Sequence, residues 1–345
     1  MAPSTSWKEV VPEDEEARFL RYAEQLRSLQ HERAKGGRAS RGLHAKTVAG
    51  VKAELEVLGD LPEPARAGLF EKPGSYRAYV RFSNGSGMRQ PDGKGDVRGV
   101  AIKVLGVPGK KVIPGLEQAT TQDFLLIHTP SSPFRNADEF VGVVLAVSGN
   151  PLLALPRLIG LFGPARAFQV LKRFAQSTST PLTSVASTRY FSVVPIRCGE
   201  YAVHYSLEPR AQAAAAVAGS APDYLGEELA ARLRREPLVY DLRVQFYSDE
   251  VKTPIEDASV EWQEADAPFV TVARLTLPTQ ALDTATARGL SAYIELLSFD
   301  PWHALEAHRP LGNIMRARSH AYRLSTGERE TAAEPEGSDW AEPGA

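Results

Sequence analysis

The sequence predicts an α+β protein: an antiparallel β-barrel of about eight strands with helical insertions and a helix that closes the chain. Two observations lead there. Seven or eight short segments are rich in β-branched and aromatic residues and are bounded by Gly, Asp and Pro. These segments show little of the strict strand–helix–strand alternation that marks a parallel sheet, so an antiparallel barrel is the natural way to bury them. No fixed-period repeat is present.

The elements follow in order. Residues 14–35 (DEEARFLRYAEQLRSLQHERAK) place Phe19, Leu20, Ala23, Leu26 and Leu29 at helical spacing, and Gly36-Gly37 ends the helix. This defines an N-terminal helical arm over residues 1–40. An alternating stretch around Leu55 and Val57 follows, then strands at 75–83 (SYRAYVRFS), 98–106 (RGVAIKVLG) and 123–128 (DFLLIH). Residues 136–147 and 152–174 read as helices. Strands return at 187–195, 200–208, 238–248 and 269–276, with helices at about 224–235, 281–293 and 313–325. Ala211–Ala221 reads as a small-residue linker or loose helix. The core domain is expected over 41–330. The segment 331–345 is acidic, contains Pro335 and Gly337, and reads as a flexible tail.

Composition narrows the function classes. The chain has 345 residues, of which 43% are hydrophobic, enough for a sizeable core. A net charge of −2 implies no general attraction to nucleic acid. The single cysteine, Cys198, allows no intramolecular disulfide and fits a reducing compartment, so a cytoplasmic location is expected. The acidic start MAPSTSWKEVVPEDEEARF lacks an apolar run and does not read as a secretory signal. Residues 138–171 are apolar, but Asn150-Pro151, Pro156, Arg157 and Gly163-Pro164 interrupt them. No run of about 20 apolar residues exists, so no transmembrane segment is expected. The plain reading is two or three buried helices. The sharper one is a greasy surface that receives lipid-like molecules, with peripheral membrane contact.

Three separated segments suggest chemistry: Arg41-Gly-Leu-His44-Ala-Lys46; Val80-Arg81-Phe82-Ser83 followed by Asp96-Val-Arg-Gly99-Val-Ala-Ile-Lys103; and Arg318-Ser-His-Ala-Tyr322. Each is weak alone. A lone histidine is more often structural than catalytic, and an Arg and Tyr at i and i+4 commonly make only a helix-face contact. That same spacing sets a guanidinium beside a phenol, where its charge favours the phenolate over a neutral form with an ordinary pKa of about 10.

Together, in this order, the segments resemble the haem catalase superfamily, and most closely its small bacterial catalase-like members. Catalases carry Arg-x-x-His-Ala-Lys-Gly, then Val-Arg-Phe-Ser, then Asp-Pro-Arg-Gly-Phe-Ala-Val-Lys, then Arg-x-x-x-Tyr. Thr47 and Val97 depart from that pattern. The resemblance runs from about residue 41 to about 330. It implies a haem cofactor, haem b being the expected form, with Tyr322 as the axial iron ligand and Arg318 favouring its phenolate. His44 would move protons on the opposite face, oriented by Ser83. Arg41, Arg81 and Arg329 would hold the propionates. Arg329 depends on the last helix continuing past Gly327.

The departures matter for activity. Typical catalases have an Asn that helps hold peroxide. The Thr129-Pro130 and Arg135 anchors place His128 there, as a candidate second acid/base. Leu43 replaces the usual valine before the histidine; coral allene oxide synthases, which share the fold, have threonine. The abbreviated C-terminal part leaves a wider approach, which suits organic hydroperoxides. His303 and His308 have ligand-like spacing but read as structural, and Cys198 lacks a haem-thiolate surround. The expected function is a haem peroxidase that takes peroxide and a small organic or lipid-like substrate. The alternatives are a fatty-acid hydroperoxide isomerase or dehydratase and a non-catalytic haem-binding protein. A homo-oligomer is compatible with all three.

Overall fold

The computed structural model describes residues 2–148, 151–179, 182–211 and 219–340. Among these residues nine strands are formed: β1 (Thr47–Val57), β2 (Gly74–Asn84), β3 (Arg98–Leu105), β4 (Thr121–Ile127), β5 (Tyr190–Phe191), β6 (Ile196–Cys198), β7 (Tyr201–Pro209), β8 (Leu238–Phe246) and β9 (Val270–Leu277). Their pairing runs β5-β4-β3-β2-β1-β9-β8-β7, and β5 also pairs with β7. Eight strands therefore close into an antiparallel barrel, as the sequence predicts; β6 adds a short pairing to β7. Closure leaves no long unpaired edge.

Alternation fills the interior. On β1, Val51, Ala53, Leu55 and Val57 are buried while Glu54 and Glu56 are exposed. They join Val80, Phe82, Ile102, Phe124, Tyr205, Leu242 and Leu275 in one continuous core. Tyr79, whose neighbours Ala78 and Val80 face that core, belongs instead to an outer cluster with Leu290, Ile294, Leu297 and Phe299.

Among the described residues seven α-helices dress the barrel: α1 (Glu15–Ala34), α2 (Ala137–Ser148), α3 (Ala154–Phe162), α4 (Pro164–Thr178), α5 (Tyr224–Leu233), α6 (Ala285–Leu296) and α7 (Asn313–Arg329). The arm helix α1 lies along α7, joined by Arg316–Glu15 at 2.6 Å and Arg27–Glu328 at 2.9 Å. No helix among the described residues is long and apolar enough to cross a membrane.

Four expectations need correction. The helix predicted over 152–174 divides, because Gly163 (φ +76°) leaves the helical region and Pro164 opens a new first turn. The strand predicted over 187–195 shrinks to β5. Val193 sits at φ +65° and breaks the ladder, so β5 and β6 meet different parts of β7. The helices of 138–171 are buried on one face only: Leu161 and Phe168 are 60% and 58% exposed. Of the segment 331–345, expected to be a flexible tail, the described residues 331–340 lie on the barrel. Ala332 N–H donates to Leu296 C=O, Glu334 ion-pairs with Lys103, and Trp340 Nε1 donates to Ala78 C=O at 3.0 Å. Of the linker at Ala211–Ala221, residues 212–218 lie outside the described residues.

Candidate active site

His44 stands just before β1, over the join of β2 and β3. Its backbone is left-handed (φ +55°), which a side-chain-bearing residue adopts only when its surroundings fix it. Those surroundings are present. His44 N–H donates to Gly85 C=O at 2.9 Å, and its own C=O accepts from Arg81 Nη2 at 2.8 Å. The register sets Ser83 opposite Gly99, and the imidazole lies on that pair. Nδ1 is 3.0 Å from Ser83 Oγ. A Cβ on Gly99 would come within 2.7 Å of the ring, so only glycine leaves space for it. Burial pulls the His44 pKa down to about 3, and the charges of Arg81, Arg318 and Arg41 act the same way. The ring is therefore neutral at ordinary pH.

Arg81 and Arg41 stand near it, and Arg329 stands near those two. Arg81 is buried, donating from Nε to Glu295 Oε2 at 2.7 Å and from Nη2 to Thr47 Oγ1 at 3.0 Å. Arg41 donates from Nη2 to the carbonyls of Glu295 and Leu297 at 3.0 and 2.8 Å, with its Nε 3.4 Å from Glu295 Oε1. Arg329 is also buried, because α7 runs through Gly327 instead of stopping there. Burial lowers the Arg41 pKa well below its usual value, and the charges of Arg81 and Arg329 lower it further. Burial likewise takes Arg329 down to about 10, against the opposing pull of Glu295. Among the described residues, the Nε atoms of Arg41 and Arg329 have no hydrogen-bond acceptor.

On α7, Arg318 Nη2 donates to Tyr322 Oη at 2.7 Å, with the guanidinium 4.9 Å from the ring centroid. One turn of helix accounts for this contact. His128 continues the β3–β4 ladder one residue past Ile127: its N–H donates to Arg98 C=O, and its Nδ1 accepts from Arg98 N–H, both at 3.0 Å. The proton must then reside on Nε2. Burial lowers its pKa, and the charge of Arg98 adds to the effect. No hydrogen bond joins His128 to His44 among the described residues.

Thus Arg41, His44, Arg81, Ser83, Arg318, Tyr322 and Arg329 are brought to one side of the barrel, and His128 is attached through Arg98, the neighbour of Gly99. Sequence reasoning missed Glu295, the carboxylate that Arg41 and Arg81 share. Its acidity is strengthened: burial alone would raise its pKa, but Arg81 and Arg41 hold it down. The available signal was small, a single acidic residue in the otherwise uncharged end of α6. Cys198 is buried against Pro64 C=O and Ala65 C=O, and burial pushes its thiol up to about 12, so it supplies no thiolate. His308 accepts from Leu69 N–H at 3.0 Å, and His303 lies 3.2 Å from both Lys103 Nζ and Asp123 Oδ2. Asp123, His303 and Glu334 come together, but the Lys103 ammonium stands among them and makes the group an ion-pair cluster.

No protein-family model matches the chain. It is 29% identical over 259 residues to a catalase-related peroxidase of Mycolicibacterium paratuberculosis, covering 72% of this chain and 76% of that protein. Among solved structures it resembles a bacterial catalase (TM-score 0.63, 20% identity, 96% of this chain and 63% of that one). It also resembles a fungal catalase (TM-score 0.62, 17% identity, 88% and 62%) and catalase A from Saccharomyces cerevisiae (TM-score 0.62, 16% identity, 95% and 67%). The chain thus spans 62 to 67% of the length of these catalases. It shares the barrel fold of these catalases and is similar in sequence to a catalase-related peroxidase.

Proposed function

We propose that this chain is a haem-dependent peroxidase of the catalase-like class, acting on hydrogen peroxide or an organic hydroperoxide. The observation that supports this most directly is His44, a buried imidazole kept neutral and within the electrostatic reach of the Arg318–Tyr322 pair.

The donor set suits a haem. Arg41 and Arg81 share one carboxylate, Glu295, whose charge also reaches Arg329, and Arg41 and Arg329 each leave a buried Nε without a hydrogen-bond acceptor among the described residues. That surplus of positive charge favours the two carboxylates of the propionates. Tyr322 offers a phenolic oxygen to iron, and Arg318 Nη2 donates a hydrogen bond to that oxygen. With Cys198 buried and no other cysteine present, attachment by thioether is excluded, which supports haem b. A bound haem would supply the redox-active iron at which the peroxide bond is cleaved.

The chain's own residues handle the protons. If Nδ1–H of His44 donates to Ser83 Oγ, the lone pair on Nε2 faces the peroxide. Nε2 takes the proton from the near oxygen and returns it to the departing one, so the imidazole ends neutral. His128, with Nδ1 bound to the main chain, presents only an Nε2–H donor. It substitutes for an amide as a holding group better than as a second base. An organic donor then supplies the reducing electrons.

The test begins with haem titration and the absorption spectrum. Tyr322→Phe should change the spectrum and weaken haem retention; an unaltered spectrum rules Tyr322 out as the ligand. His44→Gln should keep the haem but lower peroxide turnover about 10²–10⁴-fold. Oxygen release from hydrogen peroxide would identify catalase activity, and oxidation of an added donor would identify peroxidase activity. Folded protein that takes up no haem would end this reading.

A further inference from the structure

We propose that the outer face of α3 and α4 is a docking surface for an anionic lipid bilayer. The two helices are held to the protein by their inner faces. Leu158, Ala167 and Val170 pack with Phe134, Val143 and Ala146 in a small separate core. Their outer faces remain greasy: Leu161 is 60% exposed and Phe168 58%, with Leu153, Leu155 and Phe174 also exposed. Scattered exposed leucines are ordinary on a protein surface; several on one helix pair are not.

The charges select the occupant. Between Glu139 and Glu200 the sequence has no Asp or Glu, although the whole chain carries a net charge of −2. The basic residues of the two helices are Arg157, Arg166, Lys172 and Arg173. Arg166 is neutralised by Glu139 at 2.6 Å, and Arg173 donates to Ser259 C=O. Arg157 and Lys172 are exposed and have no ion pair among the described residues. An apolar face rimmed by uncompensated cations is what an interfacial helix offers to acidic headgroups, its apolar residues entering the acyl boundary. A second copy is a poorer match, because a two-fold interface would set the same cations against each other.

The position gives the contact a use. This excursion leaves β4 just past His128, and its first helical N–H, on Ala137, donates to Asn313 Oδ1 at the start of α7 at 3.0 Å. The surface is thereby joined to two of the chain segments that form the candidate site. The inference does not rest on the peroxidase reading.

The experiment is flotation of the full-length protein with vesicles of phosphatidylcholine alone or mixed with phosphatidylglycerol. Binding is expected only with phosphatidylglycerol, and should weaken at about 0.5 M salt. Arg157→Glu with Lys172→Glu should weaken it about tenfold or more. Leu161→Ser with Phe168→Ser should also weaken it about tenfold, with an unchanged thermal melt because both sites are exposed. Lys72→Glu, on the exposed turn before β2, should leave binding as it was. Absence of binding to either vesicle overturns the proposal, as does binding that neither pair of variants changes, or that Lys72→Glu abolishes equally. Self-association lost in Phe168→Ser without any vesicle binding would also overturn it, in favour of a second copy.

Discussion

His44 holds a left-handed backbone that costs a residue with a β-carbon about 1–2 kcal/mol. Two main-chain hydrogen bonds and the Ser83 contact offset that cost and leave the ring little freedom. Gly99 is the residue most sensitive to this arrangement. An alanine there would set a methyl 2.7 and 2.8 Å from His44 Cε1 and Nδ1, and 3.2 Å from Ser83 Oγ. Neither neighbour has space to yield without breaking their hydrogen bond. Gly99→Ala should therefore lower peroxide turnover by about 10²-fold, since a displacement of about 1 Å is enough. Haem uptake should persist, because Tyr322 and the arginines stand on other elements. Equal turnover per bound haem in the variant and the parent would refute the claim. At this scale the sequence was informative where neighbours share a motif, as with Arg81 and Ser83 or Arg318 and Tyr322. It was silent on Glu295, because a carboxylate at a helix end reads as solvated until the fold sets it against two arginines.

At the scale of elements, hydrophobic period was a good guide to the long strands and to α1, α5 and α7. It failed where the main chain decided. Val193 at φ +65° and Gly163 at φ +76° divide runs whose side chains alone predict one strand and one helix. It failed again after Arg329, where acidity suggested a free tail. The reason is Lys103, fully buried on β3. Burial alone would lower its pKa, but Asp123 on β4 and Glu334 on the tail more than compensate and keep it charged. Thr121 Oγ1 also donates to Glu334 at 2.6 Å, so one carboxylate ties the tail to two strands. Breaking a buried pair by removing one partner costs about 3 kcal/mol. Glu334→Ala should lower the melting temperature by several degrees, with Glu334→Gln intermediate because its amide oxygen still accepts. An unchanged melt for both would mean that the tail is free in solution.

At the scale of the whole molecule, the buried histidines set the response to acid. Burial lowers His44 and His204 to about 3 and His308 to about 4, from an ordinary 6.5. The structure shows why each stays neutral. His204 stacks on Trp262 at 3.8 Å with an unpartnered Nε2, and His308 Nε2 already accepts from Leu69 N–H. Below pH 6.5 the unfolded chain binds protons that the folded chain refuses. Their stabilisation is thus complete above 6.5 and is lost as pH falls toward 4. Asp300 acts oppositely. Burial raises it from 3.8 to about 6, so it favours the folded state below about 3.8 and loses that contribution as pH rises through 6. Each histidine costs about 2 kcal/mol at pH 5, while Asp300 returns about 1 kcal/mol, so the net effect of acid is destabilising. The urea midpoint should fall clearly between pH 7 and pH 5. His204→Phe, which retains a stacking ring and removes one titrating group, should make that fall shallower by about two-fifths. A midpoint flat across this range, or a slope that His204→Phe leaves unchanged, would show that these histidines are not buried as neutral rings.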